Sequence, residues 1–285
     1  MSTSHHKRAL LIAGPTASGK STLALENAVG LNGVIINADA LQVYSALRIL
    51  SARPTPEDEA RAPHRLYGHV GAEQAYSVAS WLAQARREME AAWEQGRLPI
   101  VTGGTGLYFR ALELGLAPVP EIPEAVRSHW RSFAGDLHAE LSARDAAMAA
   151  KLLPTDRQRL CRALEVVDAT GRSLLDWQRD GQDQAPLARV TVERIFIDVP
   201  REDLYARAEA RFDVMLAAGA LDEARAMAHL DPMLPAMKAI GLPELGAHLR
   251  GEMTLEEATV RAKTATRNFI KRQLTWWRSQ MGHWR

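Results

Sequence analysis

The sequence predicts an α/β fold: a parallel sheet flanked by helices, interrupted by a helical insertion. Short apolar runs alternate with helical segments through the first half of the chain, the pattern of a parallel sheet covered on both faces. A glycine-rich octapeptide joins the first run to the first helix. A proline-rich opening then leads into a long helical stretch before the last strand signal.

Taken in order, Ala9–Ala13 (ALLIA) is a buried strand that stops at Gly14. Ser21–Val29 reads as a helix stopped by Gly30 and Gly33, and Gly33–Asp39 as a second strand with a carboxylate at its C-terminal end. Ser77 caps a helix running to about Gln95, with Gly96 as its stop. Leu98–Thr102 is a third strand, followed by Gly103-Gly104-Thr105-Gly106, and Val192–Val199 is a fourth. Pro118, Pro120 and Pro123 open the interruption, and the polar stretch Asp180–Gln184 closes it. The organisation expected is a core of residues 1–117 and 186–285 with a helical insertion over 118–185. Near the C-terminus, Thr254 and Glu257 form a capping box, and Leu255, Ala258, Ala262, Ala265 and Phe269 follow as an apolar helical stripe.

Composition narrows the class. The 285 residues are 47% hydrophobic and 24% charged, which excludes a disordered chain, a collagen-like fibre and a disulfide scaffold. Cys161 is the single cysteine, so no intrachain disulfide or multi-cysteine zinc site is possible. No apolar run approaches the roughly 20 residues that span a bilayer, and the run after the polar N-terminus (Met1–Arg8) is too short for a signal segment. A reducing cytoplasm is expected, with no membrane contact. The net charge of +1 hides an asymmetry: seven basic and no acidic residues lie between Arg261 and Arg285, leaving the first 260 residues at −6. A polyanionic partner and a merely solvated helix face both fit that tail.

Gly14-Pro15-Thr16-Ala17-Ser18-Gly19-Lys20-Ser21 fits G-x-x-x-x-G-K-[ST], with a strand before it and a helix after it. Such a P-loop gathers backbone N–H groups at a helix N-terminus, Lys20 adds a full charge, and the Ser21 hydroxyl can ligate Mg²⁺. The core is therefore P-loop NTPase-like, and the motif implies a bound diphosphate or triphosphate, nucleotides such as ATP included, without implying hydrolysis. Asp39 ends a strand on the edge where open α/β sheets bind ligands. Three readings compete for it: a magnesium-holding carboxylate, a general base or a turn residue. Thr105 should reach the same crevice, or simply serve its turn.

Further segments carry a resemblance. GPTASGKS at 14–21, NADALQVY at 37–44, SARP at 51–54, AYSVASW at 75–81, PIVTGGTGLYFRAL at 99–112 and DRQRLCRALEV at 156–166 occur in one order. RFDVML at 211–216, KAIG at 238–241 and TRNFIKRQLTWWR at 266–278 complete it. In this the chain resembles the bacterial tRNA dimethylallyltransferases (tRNA isopentenyltransferases). The resemblance implies transfer of the dimethylallyl group of dimethylallyl diphosphate to N6 of adenosine 37, beside the anticodon, with release of diphosphate. It implies Mg²⁺ as cofactor, the tRNA anticodon stem-loop as partner of the insertion, and an enzyme expected to act as a monomer.

Carried onto this chain, the resemblance makes Asp39 the general base and Thr105 a catalytic-site threonine. It makes residues 14–21 and Arg211 the diphosphate clamp, although Arg211 alone reads as a helix-surface arginine. Asp39, Ala40, Leu41, Gln42 and Thr105 would meet the tRNA at the reacting base. Arg127 and the segment Gln158-Arg159-Leu160-Cys161-Arg162 would contact it from the insertion. Gln158 reads alternatively as part of a capping box begun by Thr155, Leu160 as facing the core with Leu164, and Cys161 as a small buried residue. Lys263, Arg267, Lys271 and Arg278 fall within about 80° on a helix and form one basic face suited to an RNA backbone. Trp276 and Trp277 read as stacking platforms or as packing. The chain departs from the family at three places: Ala40 replaces a usual serine, Leu242-Pro243 stand where a tyrosine is usual, and Gly68 stands where an aspartate is common.

Overall fold

The structure, a computed structural model, describes residues 7–180 and 185–284. Residues 1–6, residues 181–184 at the expected close of the insertion, and Arg285 of the basic tail lie outside the described residues. The chain forms two compact units, one of Met1–Leu112 with Arg189–Arg285 and one of Glu113–Ala188.

In chain order the first unit contains β1 (Arg8–Ala13), α1 (Lys20–Gly30), β2 (Gly33–Asn37), α2 (Pro56–Arg61), β3 (His64–Arg65), α3 (Val78–Glu94) and β4 (Leu98–Gly103). α4 (Gly106–Leu114) follows. The second unit holds α5 (Glu124–Ser132), α6 (Leu137–Arg144), α7 (Ala146–Ala149), α8 (Arg157–Thr170) and α9 (Leu174–Asp180). The chain then re-enters the first unit with β5 (Thr191–Phe196), α10 (Arg201–Ala217), α11 (Ala220–Ala226), α12 (Leu242–Leu249) and α13 (Leu255–Gln280).

The sheet runs β3-β2-β4-β1-β5 and every pairing is parallel. The α/β class expected from the alternation is the class observed. Central strands are buried along nearly their whole length, whereas the edge strand β5 has only exposed and half-buried residues. β3 was not foreseen: two residues carry no periodicity, and only their register with Ile35 and Ile36 makes them a strand. Ser77 caps α3 by accepting a hydrogen bond from Ser80 N at 3.0 Å.

α13 begins as the sequence indicates, with Thr254 and Glu257 in a reciprocal capping box. Its buried face differs from the expected stripe. Leu255 is exposed, and burial follows Ala258, Ala262, Thr266, Ile270, Gln273, Leu274 and Trp277. The polar Thr266 and Gln273 on that face concealed its true phase.

The second unit has its own core around Trp130, Leu141, Leu160, Cys161 and Leu164. This favours the core readings of Leu160 and Cys161 over side-chain contact with RNA. Leu160 and Cys161 are 1% and 7% exposed, so neither side chain is available to RNA. The Cys161 thiol donates to the Trp130 carbonyl at 3.3 Å, and burial raises its pKa. Gln158, Arg159 and Arg162 lie on the exposed side of α8, as a 3.6-residue period requires. The cap of α8 is Asp156, which accepts from Arg159 N at 3.2 Å, so the box expected at Thr155 does not form and Gln158 is not used by it.

Candidate active site

The carboxyl ends of β1, β4 and β2, three neighbouring strands, deliver the phosphate loop, Thr105 and Asp39 to one edge of the sheet. In the phosphate loop Ala17 has φ +66° and Gly19 φ +91°. These left-handed residues alternate with ordinary ones and turn successive N–H groups into one concavity. Ser18 N donates to the Pro15 carbonyl at 3.2 Å, which closes the turn. Ser18 Oγ is buried within the loop without a hydrogen-bond partner. The Lys20 ammonium lies in the crevice 3.4 Å from the Pro15 carbonyl. Burial pushes its pKa down to about 8; Asp39 opposes that shift and Arg211 adds to it. Burial likewise lowers the pKa of Arg211 on α10, against the influence of Asp39. Two cations short of negative charge thus face one carboxylate.

Asp39 is held by a residue that sequence reasoning passed over. Asn37 is fully buried, and its side-chain oxygen accepts from Asp39 N at 2.8 Å. Its amide nitrogen donates to the carbonyls of Asp39 (2.9 Å) and Leu66 (3.0 Å). Trp81, stacked on Tyr108 at 4.3 Å, donates to the Asn37 carbonyl at 2.7 Å. Asp39 Oδ1 accepts from Leu41 N at 3.0 Å, a local turn that fixes the carboxylate. Thr105 ties the next loop to this one: its hydroxyl oxygen accepts from Ala40 N at 3.0 Å, and its own N–H donates to the Ala38 carbonyl at 3.1 Å. Ala40, where the family usually has serine, therefore contributes through its backbone.

Two cavities meet at Asp39. The smaller, about 70 Å³, lies beneath Thr16, Asp39 and Arg211 and has an apolar floor of Leu50, Phe212, Met215 and Ile240. The larger, about 420 Å³, is bounded by Thr105, Lys238, Arg272, Trp276 and Trp277. Asp39, Leu41 and Phe269 line both. Loop 48–50 forms part of the smaller cavity because Glu223 of α11 accepts hydrogen bonds from Arg48 N (2.6 Å), Ile49 N (2.8 Å) and Leu50 N (2.7 Å). Gln42 is occupied nearby, donating to the Ser51 and Ala52 carbonyls at 2.9 Å each. Its amide nitrogen thus has a structural role, while the side chain remains half-buried. Gly68 is explained by room: at φ +54° a side chain there would fall on the Arg53 guanidinium. Leu242 is buried and Pro243 sits in the first turn of α12, so that departure serves the core.

The basic face of α13 needs correction too. Lys263 pairs with Asp213 at 2.7 Å, and Arg267 pairs with Glu209. Both acids come from α10, so these two cations brace helices instead of forming an open RNA-facing row. Lys271, Arg272 and Arg278 are exposed. Trp277 is buried among Phe109, Phe196 and Trp284 and borders the larger cavity beside half-buried Trp276. Arg127 is half-buried on α5; Arg131 and Arg162 flank the buried Glu165 at 3.3 and 3.6 Å.

Among the described residues no three His, Cys, Asp or Glu side chains gather as a metal site. The hard oxygens on hand are the Ser21 hydroxyl, exposed in the first turn of α1, and the Asp39 carboxylate. Few protein ligands, all oxygen, suit a magnesium ion that arrives with phosphate oxygens. No helix among the described residues is long and apolar enough to cross a membrane.

The same architecture occurs in known proteins. The chain is 56% identical over 284 residues to a tRNA dimethylallyltransferase of Nitrobacter hamburgensis, covering 97% of this chain and 89% of that one. It is 54% identical to its counterpart in Methylobacterium nodulans, with 98% and 94% covered. A crystal structure of a tRNA isopentenylpyrophosphate transferase from Bacillus halodurans matches with a TM-score of 0.69 and 31% identity over 96% of this chain and 88% of that one. A eukaryotic dimethylallyltransferase acting on tRNA matches with a TM-score of 0.83 and 26% identity, over 95% and 70%. A family model described as IPP transferase spans residues 42–280, and with the relatives covering the phosphate loop and Asp39 as well, the chain belongs to the IPP transferase family.

Proposed function

We propose that this chain transfers the dimethylallyl group of dimethylallyl diphosphate to N6 of adenosine 37 of tRNA. The observation that carries the reading is Asp39 at the junction of two cavities, one beside the phosphate loop and one open to a planar acceptor. The diphosphate rests on the phosphate-loop N–H groups, Lys20, Ser21 and Arg211, and the five-carbon group turns into the apolar floor of the smaller cavity. Adenosine 37 leaves its stack and enters the larger cavity, where Trp276 offers a face for the base. The N6 nitrogen attacks the allylic C1 carbon, the C1–O bond breaks, and its electron pair leaves with diphosphate. Asp39 takes the proton that N6 sheds. Thr105 holds the backbone at Ala40, and so the reach of Asp39, in place. Ser21 would hold Mg²⁺ beside the diphosphate, and the ion would supply charge neutralisation for the leaving group. The exposed side of α8, with Gln158, Arg159 and Arg162, together with Arg127, meets the anticodon stem-loop.

The test uses dimethylallyl diphosphate labelled in the allyl group. Label should enter tRNA with equimolar diphosphate release and no ATP requirement, and a stem-loop with guanosine at position 37 should accept none. Strict dependence on ATP, or label transfer to that guanosine stem-loop, would overturn the reading.

A further inference from the structure

Gln273 lies in the middle of α13, more than a hundred residues from either loop it touches, and is 6% exposed. A glutamine there would ordinarily face water. Here its Oε1 accepts from Thr16 N at 2.9 Å, and its Nε2 donates to the Gly104 carbonyl at 3.0 Å. Only this orientation of the amide satisfies both backbone groups. One side chain therefore bridges the phosphate loop after β1 and the loop after β4 that carries Thr105.

The glycines of the second loop fit the same helix. A Cβ at Gly104 would stand 2.5 Å from the Gln273 amide nitrogen, and one at Gly106 would enter the Trp276 ring. Gly104 and Gly106 are thus small because α13 lies against them. The Thr105 loop is in turn bonded to Ala38 and Ala40, on either side of Asp39. Hydrogen bonds from Thr16 through Gln273 to Gly104, and from the adjoining Thr105 to Ala38 and Ala40 beside Asp39, link the leaving-group side of the site to the proton-accepting side.

We propose that Gln273 is a positioning residue that sets the distance between the bound diphosphate and the Asp39–Thr105 pair. The proposal rests on the reaction proposed above. Gln273 itself touches no reacting atom in this scheme, since both of its polar ends are spent on backbone. Its contribution is geometric: an in-line attack tolerates little misplacement, and an error of about 1 Å costs on the order of 100-fold in rate.

The experiment compares wild type, Gln273→Met, Gly104→Ala and the double variant in single-turnover transfer with both substrates saturating. Binding of inorganic diphosphate and of an anticodon stem-loop is measured in parallel, and rates are expressed per folded molecule. Gln273→Met keeps the volume and removes both hydrogen bonds. It should slow transfer by about 10- to 100-fold and weaken diphosphate binding several-fold, with stem-loop affinity unchanged. Gly104→Ala displaces the same amide from its other end. The double variant should therefore be little slower than the slower single one, because one clamp cannot be broken twice. Wild-type transfer rates per folded molecule in Gln273→Met, or strictly multiplicative losses in the double variant, would overturn the proposal. Should wild type transfer nothing, the reaction fails, and the clamp is then judged on diphosphate affinity alone; an undiminished affinity in Gln273→Met would overturn it.

Discussion

Lys20 sits between a carboxylate, an arginine and a dry loop, and its ionisation is the most informative property of any single residue in the site. Its folded pKa of about 8 lies below the ordinary 10.5. Below pH about 8 the lysine is charged in both the folded and unfolded chain, and the fold bears the cost of burying that charge. Between about 8 and 10.5 the unfolded chain binds more protons, so this residue's contribution to stability improves as pH rises through that window. A diphosphate in the loop reverses the balance by favouring the ammonium. Binding of inorganic diphosphate just above pH 8 should therefore take up a proton, visible as a dependence of the calorimetric enthalpy on buffer ionisation. Lys20→Met should abolish the uptake and weaken binding. Uptake that persists in Lys20→Met would assign the proton elsewhere. Thr105 supports a second prediction at this scale. Thr105→Val leaves Ala40 N without its acceptor and should slow transfer by at least tenfold, whereas Thr105→Ser, which keeps the oxygen, should restore most of the rate.

Helices α10, α11 and α13 carry the site's second layer. Lys263 and Arg267 are paired with Asp213 and Glu209, so their charges are already used within the protein. Lys271 and Arg272 are exposed and carry no ion pair with a carboxylate among the described residues. Changing Lys271 and Arg272 together to Gln should flatten the slope of log K against log[salt] for stem-loop binding by about 1.5, at roughly 0.7–0.9 for each phosphate contact. Lys263→Gln should leave that slope unchanged and lower Tm slightly. A flatter slope for Lys263→Gln than for the Lys271 and Arg272 pair would reverse this assignment. Glu223 is the corresponding residue of α11. Glu223→Ala strands three backbone N–H groups of loop 48–50 and should raise KM for dimethylallyl diphosphate more than it lowers kcat, because the loop walls the smaller cavity.

At the scale of the whole molecule, the parallel sheet, the phosphate loop and Asp39 at a strand end were legible in sequence, because each is a local pattern: an apolar run, a glycine-spaced turn, a carboxylate where the run stops. The contribution of Asn37, Glu223 and Gln273 was not legible, since each acts on backbone groups in loops that only the fold brings near. The pairing of Lys263 and Arg267 was hidden for the same reason: their partners Asp213 and Glu209 lie 50 and 58 residues away. Leu160 and Cys161 show the limit of a segment match, which marks a stretch, whereas the helical spacing of Gln158 and Arg162 against Leu160 and Leu164 says which face is outward. In the proposed reaction Asp39, at the meeting of the two cavities, takes the proton from N6 of adenosine 37. Nuclease digestion and mass spectrometry of tRNA after a timed incubation with dimethylallyl diphosphate and Mg²⁺, for wild type and Asp39→Asn, tests it directly. Wild type should place one dimethylallyl group on adenosine 37. Asp39→Asn should do so about 10²–10⁴-fold more slowly, with stem-loop affinity within a few-fold of wild type. Modification at wild-type rate in Asp39→Asn, or a prenyl group found on any other nucleotide, would contradict the account.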